Sequence, residues 1–251
     1  MKRILTVIAM LLTMVTRSSD DKEKRAVLRA KKAVEKMQAY ISELMNAPLS
    51  SLHTCITKGN RKIGRVLNVS LAPIITCCNC KSCLKLCYDI KAVLQYKNVA
   101  YARAKNYVIL IRNRDKYFND IISALKHRKR NKYFRWHVSG DIIDTDYFDR
   151  MVKVARMFPD FTFWTYTKAY GFVNKWCELY GKENIPSNLS VMFSEWKGVP
   201  MKNPYNFPVF SVWFHGTEKP VNVHWCPGNC EACLKAHRGC PYGESTVVEE
   251  H

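Results

Sequence analysis

Apolar positions recur at helical spacing near the start of the chain and in short runs further on. Within residues 20–44, Ala26, Leu28, Ala33, Val34, Met37, Tyr40, Ile41 and Leu44 form an incomplete apolar stripe among basic residues. That pattern predicts a charged amphipathic helix, ended by Pro48. Residues 53–65 are polar, with Gly59-Asn60 as a turn signal. From residue 66 onward, strand-like and helix-like segments alternate. Strands are predicted over 66–71, 107–111, 133–139, 161–167, 189–193 and 209–214. Helices are predicted over 84–103, 115–127, 146–158 and 172–180, with Phe118, Ile121, Ile122 and Leu125 at helical spacing in the second of them.

This rhythm predicts an α/β fold built of mainly parallel βαβ units, either a partial or complete β/α barrel or an open doubly wound sheet. Residues 1–65 then form a basic helical extension, and residues 66–251 an α/β domain. Such folds place ligands beyond the carboxyl ends of their strands. Ser139-Gly140-Asp141, Thr167-Lys168, Ser194-Glu195 and His215 all fall at predicted strand ends.

Residues 4–15 are apolar and follow Lys2 and Arg3, as in a signal peptide. The run is shorter than the ~20 residues of a membrane span, and Thr16, Arg17, Ser18 and Ser19 make a poor cleavage site. We expect a cytoplasmic protein, with export or membrane anchoring through residues 1–19 as the alternative. The chain carries 40 Lys and Arg against 21 Asp and Glu, a formal net charge of +19. That excess suits a polyanionic neighbour such as nucleic acid. The run 126–132 is dense enough to meet phosphates, although it also falls at a helix end where cations complement the dipole.

Eleven cysteines change the picture most. Nine lie in two short windows, a distribution that favours metal coordination over disulfides. The C-terminal window has Cys226, Cys230 and Cys233 in C-x3-C-x2-C spacing, with Cys240 seven positions on. The earlier window has Cys80, Cys83 and Cys87 in C-x2-C-x3-C spacing, with Cys77 or Cys78 able to add a ligand. A helix beginning near Ser82 would set Cys83 and Cys87 one turn apart. Thiolates suit zinc or an iron–sulfur cluster. Two cysteine-only sets, without histidines at zinc spacing, lean towards a 4Fe–4S cluster, with zinc as the alternative. One shared centre would also satisfy the spacing.

Within 133–141, strand alternation would put Arg135, His137 and Ser139 on one face, opposite Phe134, Trp136 and Val138. Gly140 permits close approach of a ligand, and Asp141 can bind donors or a cation. Thr167 and Lys168 end the next strand, and Lys168 suits an anionic ligand group. These residues form the expected site for a small-molecule ligand.

The combination resembles the gene product 88 family of phage and bacterial proteins. It is carried by Cys83-Leu-Lys-Leu-Cys87-Tyr88, Arg135-Trp-His137-Val-Ser139-Gly140-Asp141, Phe163-Trp-Thr-Tyr-Thr167-Lys168, Ser194-Glu-Trp196, and the Cys226–Cys240 set with a terminal Glu-His, and so runs over residues 67–251. The resemblance brings no reaction with it. A more distant similarity, in the "SGD" and "YTK" strand ends, is to radical SAM proteins. It implies a β/α barrel, a three-cysteine 4Fe–4S site and S-adenosylmethionine. This chain departs from that pattern, because its C-x3-C-x2-C stands at the C-terminus and not after the first strand.

Overall fold

The computed structural model describes residues 2–17, 20–60 and 63–250. Ser18, Ser19 and the terminal His251, each named in the sequence reading, lie outside the described residues. Among the described residues the chain runs α1 (Lys2–Arg17), α2 (Asp21–Asn46), β1 (Ile56–Thr57), β2 (Leu67–Val69), α3 (Tyr88–Gln95), α4 (Lys97–Arg112) and α5 (Arg114–Lys126). It continues with β3 (Tyr133–Arg135), α6 (Thr145–Met157), β4 (Thr162–Thr167), α7 (Tyr170–Tyr180), β5 (Leu189–Ser194), β6 (Val209–Trp213), β7 (His224–Trp225), α8 (Cys230–Ala236) and β8 (Thr246–Glu249).

The strands form one sheet in the order β1-β2-β3-β4-β5-β6-β8-β7. β1 pairs antiparallel with β2, and every other pair is parallel. Unreversed strand order with right-handed crossovers puts the connecting helices on one face. The complete barrel that the sequence allowed is not formed among the described residues, because β1 and β7 are not paired with each other.

Side-chain alternation divides the sheet. Phe134, Phe163, Val191 and Phe193 face the helices and join the main core with α2, α4, α5 and α6. Trp164 and Met192 face the other way, into a smaller core with Val66, Leu234 and Cys240. The cysteine-bearing C-terminal segment therefore covers the face that the helices leave open.

The N-terminal extension is part of the main core. Ala30, Ala33, Val34, Met37 and Ile41 of α2 are buried in it, and α1 adds Ile4 and Leu11. No helix among the described residues is long and apolar enough to cross a membrane. The amphipathic face of α1 is used against the protein itself. Two predicted elements differ. Residues 107–111, expected as a strand, are the last turns of α4, where Tyr107, Val108, Ile109 and Leu110 are buried. A helix buried on most sides shows a continuous apolar run, which over five residues is indistinguishable from a buried strand. The single helix expected over 84–103 is broken into a 3-10 turn, α3 and the start of α4.

Candidate metal and ligand site

The first cysteine window follows β2, at the carboxyl end of the parallel strands. Asn79 takes a left-handed conformation (φ 52°) and starts a 3-10 turn over Cys80–Leu86. In that turn residues three apart eclipse, so Cys80 stands over Cys83, and the Cys83 thiol contacts the Cys80 carbonyl at 3.4 Å. The expected helical pairing of Cys83 with Cys87 is not formed: Cys87 is extended and precedes α3. None of the eleven cysteines is in a disulfide. Burial pushes the Cys87 thiol up to about 11. Burial also raises Cys77 well above the usual thiol range, and the nearby Asp141, Cys83, Cys80 and Cys87 raise it further. A cation bound among these sulfurs would reverse that cost, because metal ligation deprotonates thiols outright.

The loop that carries these cysteines is tied to two strand ends. Asn79 Nδ2 donates to the Lys168 carbonyl at 3.0 Å, and the Cys78 thiol lies 3.7 Å from the Ile142 carbonyl. Asp141 is buried beneath the loop. Its carboxylate accepts from Thr167 Oγ1 at 2.6 Å, Lys168 N at 2.9 Å and Ile142 N at 2.7 Å. Burial moves its pKa up to about 6, against the lowering effect of those bonds. Asp141 thus joins the ends of β3 and β4 with most of its acceptor capacity in use. Gly140 (φ 84°) lets the chain turn against Leu71 and Thr76. The Ser139 hydroxyl is buried without a hydrogen-bond partner among the described residues. The Lys168 ammonium lies 5.4 Å from the centre of the Trp196 ring, and its charge also acts on the buried Asp141 carboxylate.

Arg135 and His137 do not share a face. β3 ends at Arg135, and His137 adopts φ 54°, so strand alternation stops between them. The His137 ring turns into the helix-side core, where Nε2 meets the Tyr147 hydroxyl at 2.9 Å and Nδ1 lies 3.5 Å from Thr165 Oγ1. The ring is thus buried on the helix side, away from the face that carries Arg135. Arg135 stays on the opposite face, its guanidinium 4.7 Å from the centre of the Tyr166 ring. Its Nε is buried without a hydrogen-bond partner among the described residues. Tyr88, Tyr166, Cys230 and Cys240 surround its charge, so it stands between the two cysteine windows. Tyr88 itself donates to the Val138 carbonyl.

The second window is gathered by β7, α8 and the 3-10 turn Cys240–Tyr242. Burial raises Cys233 to about 11, and Cys240, Cys226 and Cys230 add to the rise. His224, which the sequence reading passed over, places Nε2 3.6 Å from the Cys233 sulfur. Tyr166 and Trp196 were likewise not singled out as site residues; Tyr166 is marked only by alternating with Trp164 along β4. Among the described residues, no three His, Cys, Asp or Glu side chains converge closely enough to hold an ion as they stand. The fit to metal rests on donor chemistry: two groups of partly to fully buried thiols, none in a disulfide, whose members raise one another's pKa.

The family model for gene product 88 matches residues 45–205. The chain belongs to the gene product 88 family. The matched span includes the first cysteine window, Arg135 to Asp141, Thr167-Lys168 and Ser194 to Trp196. It stops before the second window and begins within α2, so it differs at both ends from the span inferred from sequence. No curated protein and no solved structure matches the chain.

Proposed function

We propose that this family member is an iron–sulfur protein whose 77–87 window holds a cluster, and that a small anionic ligand binds beside it near Lys168 and Arg135. The observation that carries this is the position of the window: it leaves β2 at the carboxyl-end rim and is tied directly to the Lys168 carbonyl. Parallel α/β folds bind ligands on that rim. Arg135 forms no ion pair with a carboxylate among the described residues, and Lys168 feels only the longer-range attraction of the buried Asp141. S-adenosylmethionine, with its carboxylate, is the ligand that the radical SAM resemblance suggests.

Anaerobically purified protein should be brown and contain iron with acid-labile sulfide. The double substitution Cys80→Ser/Cys83→Ser should remove that iron. Absence of labile sulfide from anaerobic wild-type protein would overturn the cluster. Adding S-adenosylmethionine should shift the EPR signal of the reduced cluster; an unchanged signal removes that ligand from the proposal.

A second reading, nucleic-acid binding, is favoured by a groove of about 760 Å³ beside α2. Lys22, Arg25, Arg29, Lys32 and Lys85 line it, along with Leu28, Leu86 and Glu250. The four α2 cations follow helical spacing, so they form a stripe on one face. The 126–132 run is a weaker candidate, because Arg128 donates to the Arg65 carbonyl at 3.1 Å and Lys132 pairs with Asp160. Binding through the groove should weaken steeply with salt. Arg25→Ala/Arg29→Ala/Lys32→Ala should lower single-stranded DNA affinity at least ~10-fold at low salt, by losing three phosphate contacts. Salt-insensitive binding, or no change in the triple variant, would rule the groove out.

A further inference from the structure

The second cysteine set contains a nitrogen donor placed as a ligand would be. β7 spans His224 and Trp225, and the Cys226 N–H carries its pairing one residue further by donating to the Val247 carbonyl at 2.7 Å, so His224 and Cys226 project to the same side. α8 begins at Cys230, capped by the Asn229 side chain, which accepts from Glu231 N at 2.8 Å. Cys230 and Cys233 are one turn apart on that helix and share a face. The two elements meet where His224 Nε2 lies 3.6 Å from the Cys233 sulfur.

That separation has a chemical meaning. Zinc–sulfur bonds of ~2.3 Å and zinc–nitrogen bonds of ~2.0–2.1 Å at a tetrahedral angle put the two donor atoms about 3.6 Å apart. The other ring nitrogen is also provided for. His224 Nδ1 lies 3.7 Å from Glu244 Oε2. Glu244 is itself held by Arg238 Nη2 and by Gly239 N, each at 2.8 Å. At this separation the carboxylate does not yet hydrogen-bond the ring, but on that side it favours the tautomer that leaves Nε2 free to bind metal. Gly239 (φ 72°) completes the arrangement: a Cβ there would sit 2.7 Å from His224 Nε2 and 3.1 Å from the Cys233 sulfur.

Cys240 is differently engaged. It is buried against the sheet, and that burial raises its thiol pKa, only partly offset by the hydroxyls of Thr246 and Tyr166 and the charge of Arg135. Its carbonyl accepts from Ser190 Oγ at 2.6 Å.

We propose that His224 is a metal ligand and that it joins Cys226, Cys230 and Cys233 in a structural zinc site, chemically distinct from the iron–sulfur window at the rim. The inference rests on the reading that the cysteine windows hold metal. Mixed sulfur–nitrogen sets closed within a short segment are typical of structural zinc, whereas 4Fe–4S clusters are held by four thiolates. The site pins α8 against the open face of the sheet, and its folding energy is released only when metal binds.

The test uses the full chain, with zinc measured by elemental analysis and cobalt(II) substituted as a spectroscopic probe. Wild-type protein should carry about one zinc per chain beside its iron. His224→Ala should weaken zinc binding at least ~10-fold, the scale seen even for residues that only orient a ligand, and should change the cobalt spectrum. His224→Cys should restore binding with stronger sulfur-to-cobalt absorption. Cys240→Ser should keep the wild-type zinc affinity. Wild-type affinity and cobalt spectrum in His224→Ala overturn this assignment alone. So does loss of zinc in Cys240→Ser with zinc retained in His224→Ala. A wild-type chain with no metal in either window overturns the parent proposal as well.

Discussion

Replacing Gly140 with alanine should destabilise the protein by about 2–5 kcal/mol, combining left-handed backbone strain of ~1–2 kcal/mol with overpacking of ~1–3 kcal/mol. Gly140 sits at φ 84°, in a region that a side chain disfavours. Space is also lacking. A Cβ at Gly140 would lie 2.6 Å from both the Leu71 Cβ and the Thr76 hydroxyl. Neither neighbour can easily give way. Leu71 is buried and its backbone N donates to the Ser139 carbonyl at 2.8 Å; the Thr76 hydroxyl is bonded to the Ala72 carbonyl at 2.7 Å. The measurement is the urea midpoint of the variant against wild type. An unchanged midpoint would mean that the turn can re-form without touching the start of the cysteine loop.

The buried His137 ring should cost the fold stability on acidification, against the opposite contribution of Asp141, whose pKa, raised to about 6, favours the folded state as pH falls. Burial and the nearby Arg135 charge lower the His137 pKa from 6.5 to about 3. The native state therefore holds the ring neutral, while the unfolded chain protonates it below about pH 6.5. The stability tied to the neutral ring is complete above pH 6.5 and is lost as pH falls towards 3. A shift of this size is worth on the order of 5 kcal/mol. His137→Asn keeps a residue type that tolerates positive φ and removes the titration. The variant should be less stable at neutral pH through lost packing against Tyr147, yet its stability should fall less between pH 6.5 and 4. Parallel pH profiles for the two proteins would sink this assignment.

The repeating strand–helix pattern could be read from the sequence because each parallel strand from β2 to β5 presents apolar residues to the helix layer. Phe134, Phe163, Val191 and Phe193 carry that signal. What could not be read depended on contacts between distant segments. β7 and β8 are short and lie among cysteines, glycines and charges, so no hydrophobic run marks them. The placement of His137 failed for a local reason: one residue with positive φ cancels alternation, and nothing in Trp136-His137-Val138 announces it. Asp141, Thr167 and Lys168 were each expected near strand ends, and the structure bonds the Asp141 carboxylate to Thr167 Oγ1 and Lys168 N. That the carboxylate would bond Thr167 Oγ1, Lys168 N and Ile142 N, leaving little capacity for a ligand, is a matter of geometry that spacing does not encode. His224 was missed because the cysteines drew attention to sulfur-only sets. The clue was present in the alternate spacing of His224 and Cys226.

The strand order carries one more consequence, for how the chain assembles. β8 comes after β7 in sequence, yet it lies between β6 and β7 in the sheet. During synthesis, β7 and the cysteines around it emerge with no neighbouring strand to dock on. Their edge partner is Thr246–Glu249, which also pairs with β6 along Phe210 to Trp213. The helix-covered part of the sheet can form first from residues already translated. The C-terminal segment must wait as a tethered, unpaired length until that late strand slots in, so a ribosome stalled before Thr246 would present those thiols to solvent and to any passing metal or oxidant.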